Sequence, residues 1–452
     1  MNIIIVGGGK VGVSLTELLS AEGHNVTVID TVPKLVESIV NDYDVIGYCG
    51  NGASYPIQLE AGVSKCDVFI AVIGSDELNI MSCLVAEKLG AKHSIARVRN
   101  PEYSLQMDFM RDKLGIDLVI NPDYEVANEI SRLIEFPSAD KVETFAKGRI
   151  ELAEIVVAKD SPLDNLTLRN LKKTLNLAML ICAVQRGDEV IIPSGAFTVL
   201  AGDIIHFIAA KQHLASIFKT LNIDKKRIKN SLIIGGSPTA YYLSKYLSST
   251  GRNVRLIELN ESKAAELEAE LDGVSVICGD GADTEILDEY GVKTTDAIIS
   301  LTDKEEENII ISMYAAANSE GKVICKVTRP ALLQMLPSVM NNCSTVYPQD
   351  ITSSIILRYI RALNNTSGSQ VKTLYRILDK KAEAAEFIAA ANCELCGKEL
   401  RSLKLKPNVI VACISRKNTV IIPDGSSVIN EGDSVIVITS GQVITDLNEI
   451  LL

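Results

Sequence analysis

The second half of this 452-residue chain repeats the first half. The opening segment MNIIIVGGGKVGVSLTELL has a counterpart in NSLIIGGSPTAYYLSKYL, and CGNGAS, DVFIAVIGSDELNIM and VIIPSGAFTVLAGD each recur in modified form. Gly7 and Asp30 are spaced as Gly235 and Glu258 are, so the copies keep one register apart from single-residue slips. A repeat of this length predicts two similar halves, each with a large segment followed by a small one.

Short Val- and Ile-rich runs alternate with helical patterns in each large segment. NIIIV, NVTVID and DVFIAVIG are continuous apolar runs, which are typical of parallel strands buried on both faces. Their alternation with helices predicts right-handed βαβ crossovers and a doubly wound sheet. The small segments have short apolar strands between turns that contain Pro and Gly, as in PSG and PDG, and Gly-Asp turns. We therefore predict an α/β chain with two tandem Rossmann-like parallel sheets, each followed by a small α+β domain. The predicted domains are 1–122, 142–225, 228–347 and 367–452.

Two segments are predicted to leave the sheets as helices. They are NPDYEVANEISRLIEF from Asn121 and YPQDITSSIILRYIRAL from Tyr347, and both have apolar residues at a spacing of three to four. Each helix could pack on its own domain, or it could cross over and join the two halves. The sequence leaves both alternatives open.

Composition excludes several classes of function. A net charge of -12 argues against broad binding to nucleic acid, whose phosphates need clustered Lys and Arg. Ten irregularly spaced cysteines predict free thiols in a reducing cytosol, and the single CxxC has no second ligand pair for a metal. The apolar runs are far shorter than the ~18 residues of a membrane span. We expect no metal site, and attachment to a membrane only through a partner.

GGGKVG, from Gly7 to Gly12, follows a strand and begins a helix, as a dinucleotide-binding turn does. The first glycine permits the tight turn, Gly9 lets the backbone approach a pyrophosphate, and the last allows close packing. Asp30 ends the second strand, where an acidic residue accepts hydrogen bonds from the ribose hydroxyls. Its charge favours NAD over NADP. A glycine turn needed only for packing is the alternative.

The second copy of this turn, GGSPTA, is altered. Ser237 adds a side chain where the pyrophosphate would lie, and Pro238 removes an N–H donor although it suits a helix start. Glu258 still offers carboxylate oxygens to a ribose. The second half could therefore bind a nucleotide weakly, or it could keep the fold without the site.

No catalytic residue is predicted. Of the four histidines, His24 and His93 fall at loop-like boundaries of the sheet domain, and His206 and His213 lie in the first small segment without a repeated counterpart. We therefore assign all four surface or packing roles. The chain contains no P-loop, HExxH or GxSxG motif. The segments after the sheets are too small for an ordinary substrate domain, so binding without chemistry is the simpler account.

Several motifs of the chain indicate one family. They are GGGKVG, VID, CGNGAS, AVIGSDELN and ARVRNPEY in the first half, and VIIPDG and EGD in the last segment. In these motifs the chain resembles the TrkA family. These cytosolic subunits of Trk-type potassium uptake belong to the wider RCK, or KTN, group. The resemblance implies a peripheral membrane protein on the inner face of the plasma membrane. It would bind NAD(H), or ATP or ADP, assemble as a homo-oligomer, and gate a separate integral membrane subunit of the TrkH or TrkG type.

The resemblance also implies binding residues in both halves. In the first half, Gly7, Gly8, Gly9, Lys10 and Val11 would bind the phosphates and Asp30 the ribose. Asn51 and Gly52 would lie near the adenine, Ile73 and Gly74 after the fourth strand, and Arg97 opposite the phosphates. The corresponding positions in the second half are Gly235, Gly236, Ser237, Pro238, Thr239, Glu258, Asp280, Thr302 and Asp303. The alternatives are a soluble NAD-dependent oxidoreductase and a nucleotide sensor for another partner.

Overall fold

The computed structural model of the protein describes residues 1–104, 106–139, 141–146, 148–223, 227–329, 332, 343–364, 369, 371–378, 381–417 and 419–452. The chain forms two compact units, and each unit combines parts of both halves. One contains Met1–Glu135 and Arg227–Leu357, and the other contains Phe136–Lys226 and Arg358–Leu452. The predicted domain boundaries at residues 225 and 367 lie outside the described residues.

The first half begins with a parallel sheet whose six described strands have the order β3-β2-β1-β4-β5-β6. The strands are β1 (Asn2–Val6), β2 (Asn25–Asp30), β3 (Ile46–Cys49), β4 (Val68–Ala71), β5 (His93–Arg97) and β6 (Leu118–Ile120). The helices are α1 (Lys10–Ala21), α2 (Pro33–Tyr43), α3 (Tyr55–Glu60), α4 (Asp76–Leu89), α5 (Pro101–Ser104), α6 (Met107–Leu114) and α7 (Pro122–Glu135). All residues of β4 are buried, as the continuous apolar run predicts for a central parallel strand.

The first small domain is an antiparallel sheet with two helices. Its elements are β7 (Lys141–Phe145), β8 (Ile150–Val156), α8 (Leu168–Leu175), β9 (Met179–Arg186), β10 (Glu189–Ile191), β11 (Ile204–Ala210) and α9 (Leu214–Thr220). The strand order is β10-β9-β11-β8-β7. Arg186 donates to both carboxylate oxygens of Asp203 at 2.7 Å, and this pair anchors the turn before β11.

The second half repeats the parallel sheet, with the order β14-β13-β12-β15-β16-β17. The strands are β12 (Asn230–Ile234), β13 (Asn253–Glu258), β14 (Val274–Cys278), β15 (Ala297–Ser300), β16 (Lys322–Lys326) and β17 (Cys343–Val346). The described helices are α10 (Pro238–Ser249), α11 (Glu261–Glu270), α12 (Thr284–Glu289), α13 (Glu305–Asn318) and, after β17, α14 (Pro348–Asn364). The identical strand order confirms two tandem Rossmann-like sheets.

The second small domain is again antiparallel, in the order β18-β19-β22-β20-β21. Its strands are β18 (Val371–Ile377), β19 (Ala382–Ile388), β20 (Val409–Arg416), β21 (Thr419–Ile421) and β22 (Ser434–Ser440), with 3₁₀ helices at Leu400–Ser402 and Leu447–Ile450. Arg416 and Asp433 repeat the ion pair of the first small domain at 2.8 Å. The two small sheets share a buried core, in which the Phe145 and Tyr375 rings meet edge to face at 5.0 Å.

Helix α7 joins the two large domains. Its buried face, from Val126 to Ile134, belongs to one core cluster with Ile233, Leu243 and Leu247 of the second half. In the opposite direction, Ser353 of α14 donates to Ser14 of α1 at 3.2 Å. Of the two alternatives for these helices, the structure has the crossover that joins the halves. Among the helices described, none is both long and apolar enough to cross a bilayer.

Candidate functional site

Both parallel sheets reverse their strand order beside the central strand, and the candidate residues lie at that reversal. Gly7 follows β1 and Ile73 follows β4, which are neighbours in the first sheet. Ligands bind open parallel sheets in the crevice at the carboxyl ends of two such strands. Gly235 after β12 and Thr302 after β15 occupy the same place in the second sheet.

The three motif glycines of the first turn have three different surroundings. Gly7 has a φ of +106°, and a Cβ there would lie 2.8 Å from Ile73 Cγ2. A Cβ on Gly12 would lie 1.8 Å from the carbonyl oxygen of Gly7. At Gly9, no atom of the described residues beyond its immediate chain neighbours lies within 4 Å of the Cβ position. The first and last glycines are therefore required by packing, whereas the space above Gly9 is open to a ligand.

The Asp30 carboxylate is held by backbone amides. The Gly8 amide donates to Oδ2 at 2.7 Å, and the Val32 amide donates to Oδ1 at 2.9 Å. Each carboxylate oxygen has two lone pairs, so each still has one free to accept a ribose hydroxyl. The bond to Gly8 also fixes the turn against β2, which gives Asp30 a structural role besides its predicted binding role.

A cavity of about 300 Å³ opens beside the start of α1. Gly9 is the N-cap of this helix, and glycine has no side chain that could cap the first helical N–H groups. Gly9, Lys10 and Val11 line the cavity, so the positive end of the helix dipole lies beside it. The charged side chains lining the cavity are Lys10, Arg97, Arg99, Lys326 and Asp123. Since cations outnumber carboxylates in this set, the cavity suits a phosphate group.

Burial makes two of these cations less basic than they would be in water. It lowers the pKa of Arg97, and the nearby Arg99 guanidinium lowers it further. The Arg97 Nε is buried without a hydrogen-bond partner among the described residues. Burial likewise lowers the pKa of Lys326. A bound anion would raise both pKa values again, because an opposite charge stabilises the protonated forms.

The other predicted first-half residues lie at the same edge, in the loops after β3 and β4. The Asn51 side chain accepts a hydrogen bond from the Ala53 amide at 2.9 Å. Gly52 packs on β1, because a Cβ there would lie 2.0 Å from Val6 Cγ1. At Gly74, as at Gly9, the Cβ position is open as far as the described residues extend.

Sequence reasoning missed a buried asparagine that ties these loops together. Asn79 accepts from the Ile73 amide at 2.9 Å and donates to the carbonyl oxygens of Ile73 and Arg97. Asn308 makes the equivalent three bonds to Thr302 and Lys326. The matching Asn in SDELN and KEEEN was the available signal.

The second half keeps the framework of the site. Gly235 has a φ of +93°, and a Cβ there would lie 2.7 Å from Thr302 Cα. Glu258 accepts from the Gly236 amide at 2.8 Å and from the Asn260 amide at 2.8 Å, as Asp30 does in the first half. The longer Glu side chain therefore reproduces the contacts of the shorter Asp.

The phosphate end of the second half differs from the first. Ser237 is the N-cap of α10 and is 3% exposed, and its hydroxyl has no partner among the described residues. Pro238 is the first helical residue. Thr239 donates to Asp123 Oδ1 at 2.6 Å, so a carboxylate of the first half lies at the start of this helix.

The remaining predicted residues of the second half lie in its loops. Asp280 accepts from the Ala282 amide at 2.9 Å, in the same kind of turn as Asn51. Thr302 is fixed by Asn308 through its amide and hydroxyl, both at 2.8 Å. Asp303 is exposed. Burial lowers the pKa of Lys326, and the nearby carboxylates of Asp123 and Asp303 only partly offset this effect. At Arg99 burial also acts to lower the pKa, but the carboxylates, chiefly Asp123, outweigh it and raise the pKa overall.

Two domain families match the chain, and each matches it twice. The TrkA-N domain matches residues 3–122 and 231–341, and the TrkA-C domain matches residues 152–222 and 384–452. The chain belongs to the TrkA family. The resemblance in the sequence motifs is thereby confirmed over both halves.

Full-length TrkA proteins are similar to this chain throughout. The Trk system potassium uptake protein TrkA homolog of Archaeoglobus fulgidus is 30% identical, with 100% of each chain covered. The TrkA protein of Haemophilus influenzae is 30% identical over 97% of this chain and 96% of its own. That of Vibrio alginolyticus is 29% identical over 96% of this chain and 95% of its own.

Solved structures support the fold of this TrkA family member. The GsuK channel bound to NAD has a TM-score of 0.62 and 16% identity, covering 97% of this chain and 77% of its own. The GsuK RCK domain has a TM-score of 0.61 and 15% identity, covering 97% of this chain and 92% of its own. At these identities the likeness establishes the tandem fold alone.

Proposed function

We propose that this chain is a cytosolic regulatory subunit of a potassium uptake system, which binds NAD(H) or an adenine nucleotide and thereby gates a separate membrane subunit. The observation that carries the proposal is the open space above Gly9, beside a helix start and a cavity lined by cations of both halves. The diphosphate group of NAD(H) or of ADP fits this charge and shape. The full-length relatives named Trk system potassium uptake protein supply the process.

The proposed first site contains the residues predicted from the family. The backbone from Gly7 to Val11 binds the phosphates, with Arg97 as a cationic partner, and Asp30 binds the ribose. The adenine lies near the loop at Asn51 and Gly52. The nicotinamide or the terminal phosphate lies near the loop at Ile73 and Gly74. The equivalent positions of the second half, from Gly235 to Asp303, form a second candidate site, whose phosphate end differs from the first. A related structure is described as GsuK bound to ADP, which supports ADP as a ligand beside NAD.

Nucleotide binding can control a gate only if the ligand binds two conformations with different affinity. The cavity draws its lining from both halves, since Gly9 and Arg97 face Lys326 and Gln349. A ligand that fills it therefore contacts both large domains at once. We propose that this contact changes the angle between them across α7 and α14, and that homo-oligomerisation carries the change to the membrane subunit.

Binding without catalysis is part of the proposal. His93 begins β5 at the amino-terminal edge of the sheet and contacts Asp117 at 3.4 Å, whereas the glycine turn lies at the carboxyl edge. His24 contacts the amino terminus, also at that opposite edge. His206 pairs with Glu154 inside the small domain. These positions support structural roles for the three histidines.

Potassium uptake in cells lacking their own regulator tests the proposal. Cells that express this chain with its membrane partner should take up potassium in a nucleotide-responsive manner, and the purified complex should contain the nucleotide by mass spectrometry. Uptake that does not depend on the chain would contradict the proposed process. Turnover of a nicotinamide cofactor with a small substrate would favour the oxidoreductase instead.

A further inference from the structure

The second residue of each crossover helix lies at the phosphate end of the opposite half. Asp123 is the second residue of α7 and contacts Thr239 at the start of α10. Gln349 is the second residue of α14 and lines the cavity with Gly9 at the start of α1. The two positions are equivalent in the repeat, but one carries a negative charge and the other is neutral.

Asp123 is held at α10 as a fixed anion. Its Oδ1 accepts from the Thr239 hydroxyl at 2.6 Å, and its Oδ2 accepts from Arg99 Nε at 2.8 Å. The residue is only 8% exposed. A carboxylate at a helix N-terminus is stabilised by the helix dipole, as the pyrophosphate of a dinucleotide would be there. The chain thus supplies its own anion at this end of the second half.

The turn itself differs in the same direction. Ser237 replaces the open glycine, and it is 3% exposed with a hydroxyl that has no partner among the described residues. Its counterpart Gly9 has no described atom within 4 Å of its Cβ position apart from its immediate chain neighbours. Gln349 instead donates its side-chain amide to the Thr328 carbonyl oxygen at 3.0 Å and brings no charge to α1. The start of α1 in the first half is therefore open to an external anion, whereas the start of α10 in the second half already has the Asp123 carboxylate beside it.

We propose that Asp123 is an internal ligand that takes the place of nucleotide phosphates in the second half, so that the chain binds one nucleotide, in its first half. The inference rests on the nucleotide binding proposed above and assigns it to one of the two folds. Removing the carboxylate should free the start of α10 and leave Arg99 and Lys326 available to an incoming phosphate.

Calorimetry of the full-length chain with ADP tests this assignment. The parent should bind one equivalent, and Gly9→Asp should abolish that binding because it blocks the first site. Adding Asp123→Gln to Gly9→Asp should restore one equivalent, through the second site. Because Asp123 also lines the cavity beside Gly9, the restored binding should be lost when Glu258→Ala is added and kept when Asp30→Ala is added. The reciprocal change Gln349→Asp, in the parent, should weaken binding by at least about tenfold, because it places a carboxylate at the start of α1.

Two further variants separate charge from packing. Asp123→Asn keeps the size of the side chain and removes its charge, so it should open the second site as Asp123→Gln does and serves if the latter fails to fold. Thr239→Val removes the hydrogen bond to Asp123 but leaves the carboxylate in place. If loosened packing rather than lost charge were the cause, Thr239→Val would open the second site equally well.

The outcomes are distinct. Two equivalents bound by the parent with equal affinity would overturn the inference while leaving nucleotide binding intact. So would a Gly9→Asp chain that gains no ADP binding from either substitution of Asp123, provided that its unfolding remains cooperative. A parent that binds neither ADP nor NAD would contradict the proposed function and, with it, this inference.

Discussion

Gly9→Asp is the substitution that most directly tests whether the first glycine turn binds nucleotide. The backbone of Gly9 is extended, with φ −70° and ψ −172°, and the surrounding described residues leave space for a side chain. Asp is a favourable N-cap residue, and Gly at this position is worse by only a few tenths of a kcal/mol. The substitution should therefore leave the free energy of unfolding unchanged within about 0.5 kcal/mol.

Its effect on binding should be large. The new carboxylate would lie where a phosphate approaches the start of α1. Two like charges about 4 Å apart interact by about 4 kcal/mol at an effective dielectric constant near 20. That energy corresponds to about a thousandfold loss of affinity. Nucleotide control of potassium uptake should be lost with it, while the protein stays folded and assembled.

Calorimetry with NAD and with ADP measures the loss, and thermal unfolding verifies the fold. Gly9→Asn is the matched control, since it adds nearly the same volume without charge and should weaken binding much less. A Gly9→Asp protein that binds within about threefold of the parent, or restores nucleotide-responsive uptake as well as the parent, would refute the reasoning. An equal loss in Gly9→Asn would attribute the effect to bulk.

Three other substitutions test the first glycine turn, its acidic partner and a carboxylate of the second half. Asp30→Ala should weaken NAD binding about tenfold or more, because it removes a charged acceptor for the ribose hydroxyls; unchanged affinity by calorimetry would exclude that role. Gly12→Ala should destabilise the fold by at least about 1–3 kcal/mol in chemical denaturation, since its Cβ would lie 1.8 Å from the Gly7 carbonyl oxygen. Burial raises the pKa of Glu305, but bonds from Arg329 and the neighbouring backbone outweigh it and hold the pKa at about 2, below the ordinary 4.5. The stability that this carboxylate contributes is therefore complete above pH 4.5 and is lost as the pH falls towards 2. In Glu305→Gln, the free energy of unfolding should consequently fall less steeply between pH 4.5 and pH 2 than it does in the parent. An equally steep fall would contradict the low pKa of Glu305.

The parts of the fold that depend on local sterics were predictable from the sequence. The turn at Gly7 follows from its positive φ and its contact with the loop after β4, which any parallel sheet of this order would impose. Asp30 was placed correctly at the end of β2 because the spacing between turn and acidic residue is set by one helix and one strand. The repeat then extended both features to the second sheet.

The parts that depend on the crossover were not predictable. Lys326 lines the cavity beside Gly9, although more than three hundred residues separate them along the chain. Which half α7 packs against is decided by side-chain fit, and amphipathic spacing is the same for either choice. Asp123 appeared in the sequence only as an acidic residue in the first turn of a helix, where it would be expected in any helix.

Divergence between the halves is concentrated where a phosphate would lie. The framework is retained in detail, since Asn79 and Asn308 make the same three bonds and both acidic residues hold the second amide of their turn. The two positions that would touch a phosphate both differ, as Gly9 becomes Ser237 and the facing residue changes from Gln349 to Asp123. Each change alone disfavours an anionic ligand in the second half, one by bulk and the other by charge. If relaxed constraint alone had altered the second copy, the framework bonds, which only position these loops, would be expected to loosen as well. Their retention indicates that the loops of the second sheet are still held in position. The fixed carboxylate of Asp123 then supplies the counter-charge that the start of α10 and the nearby cations require.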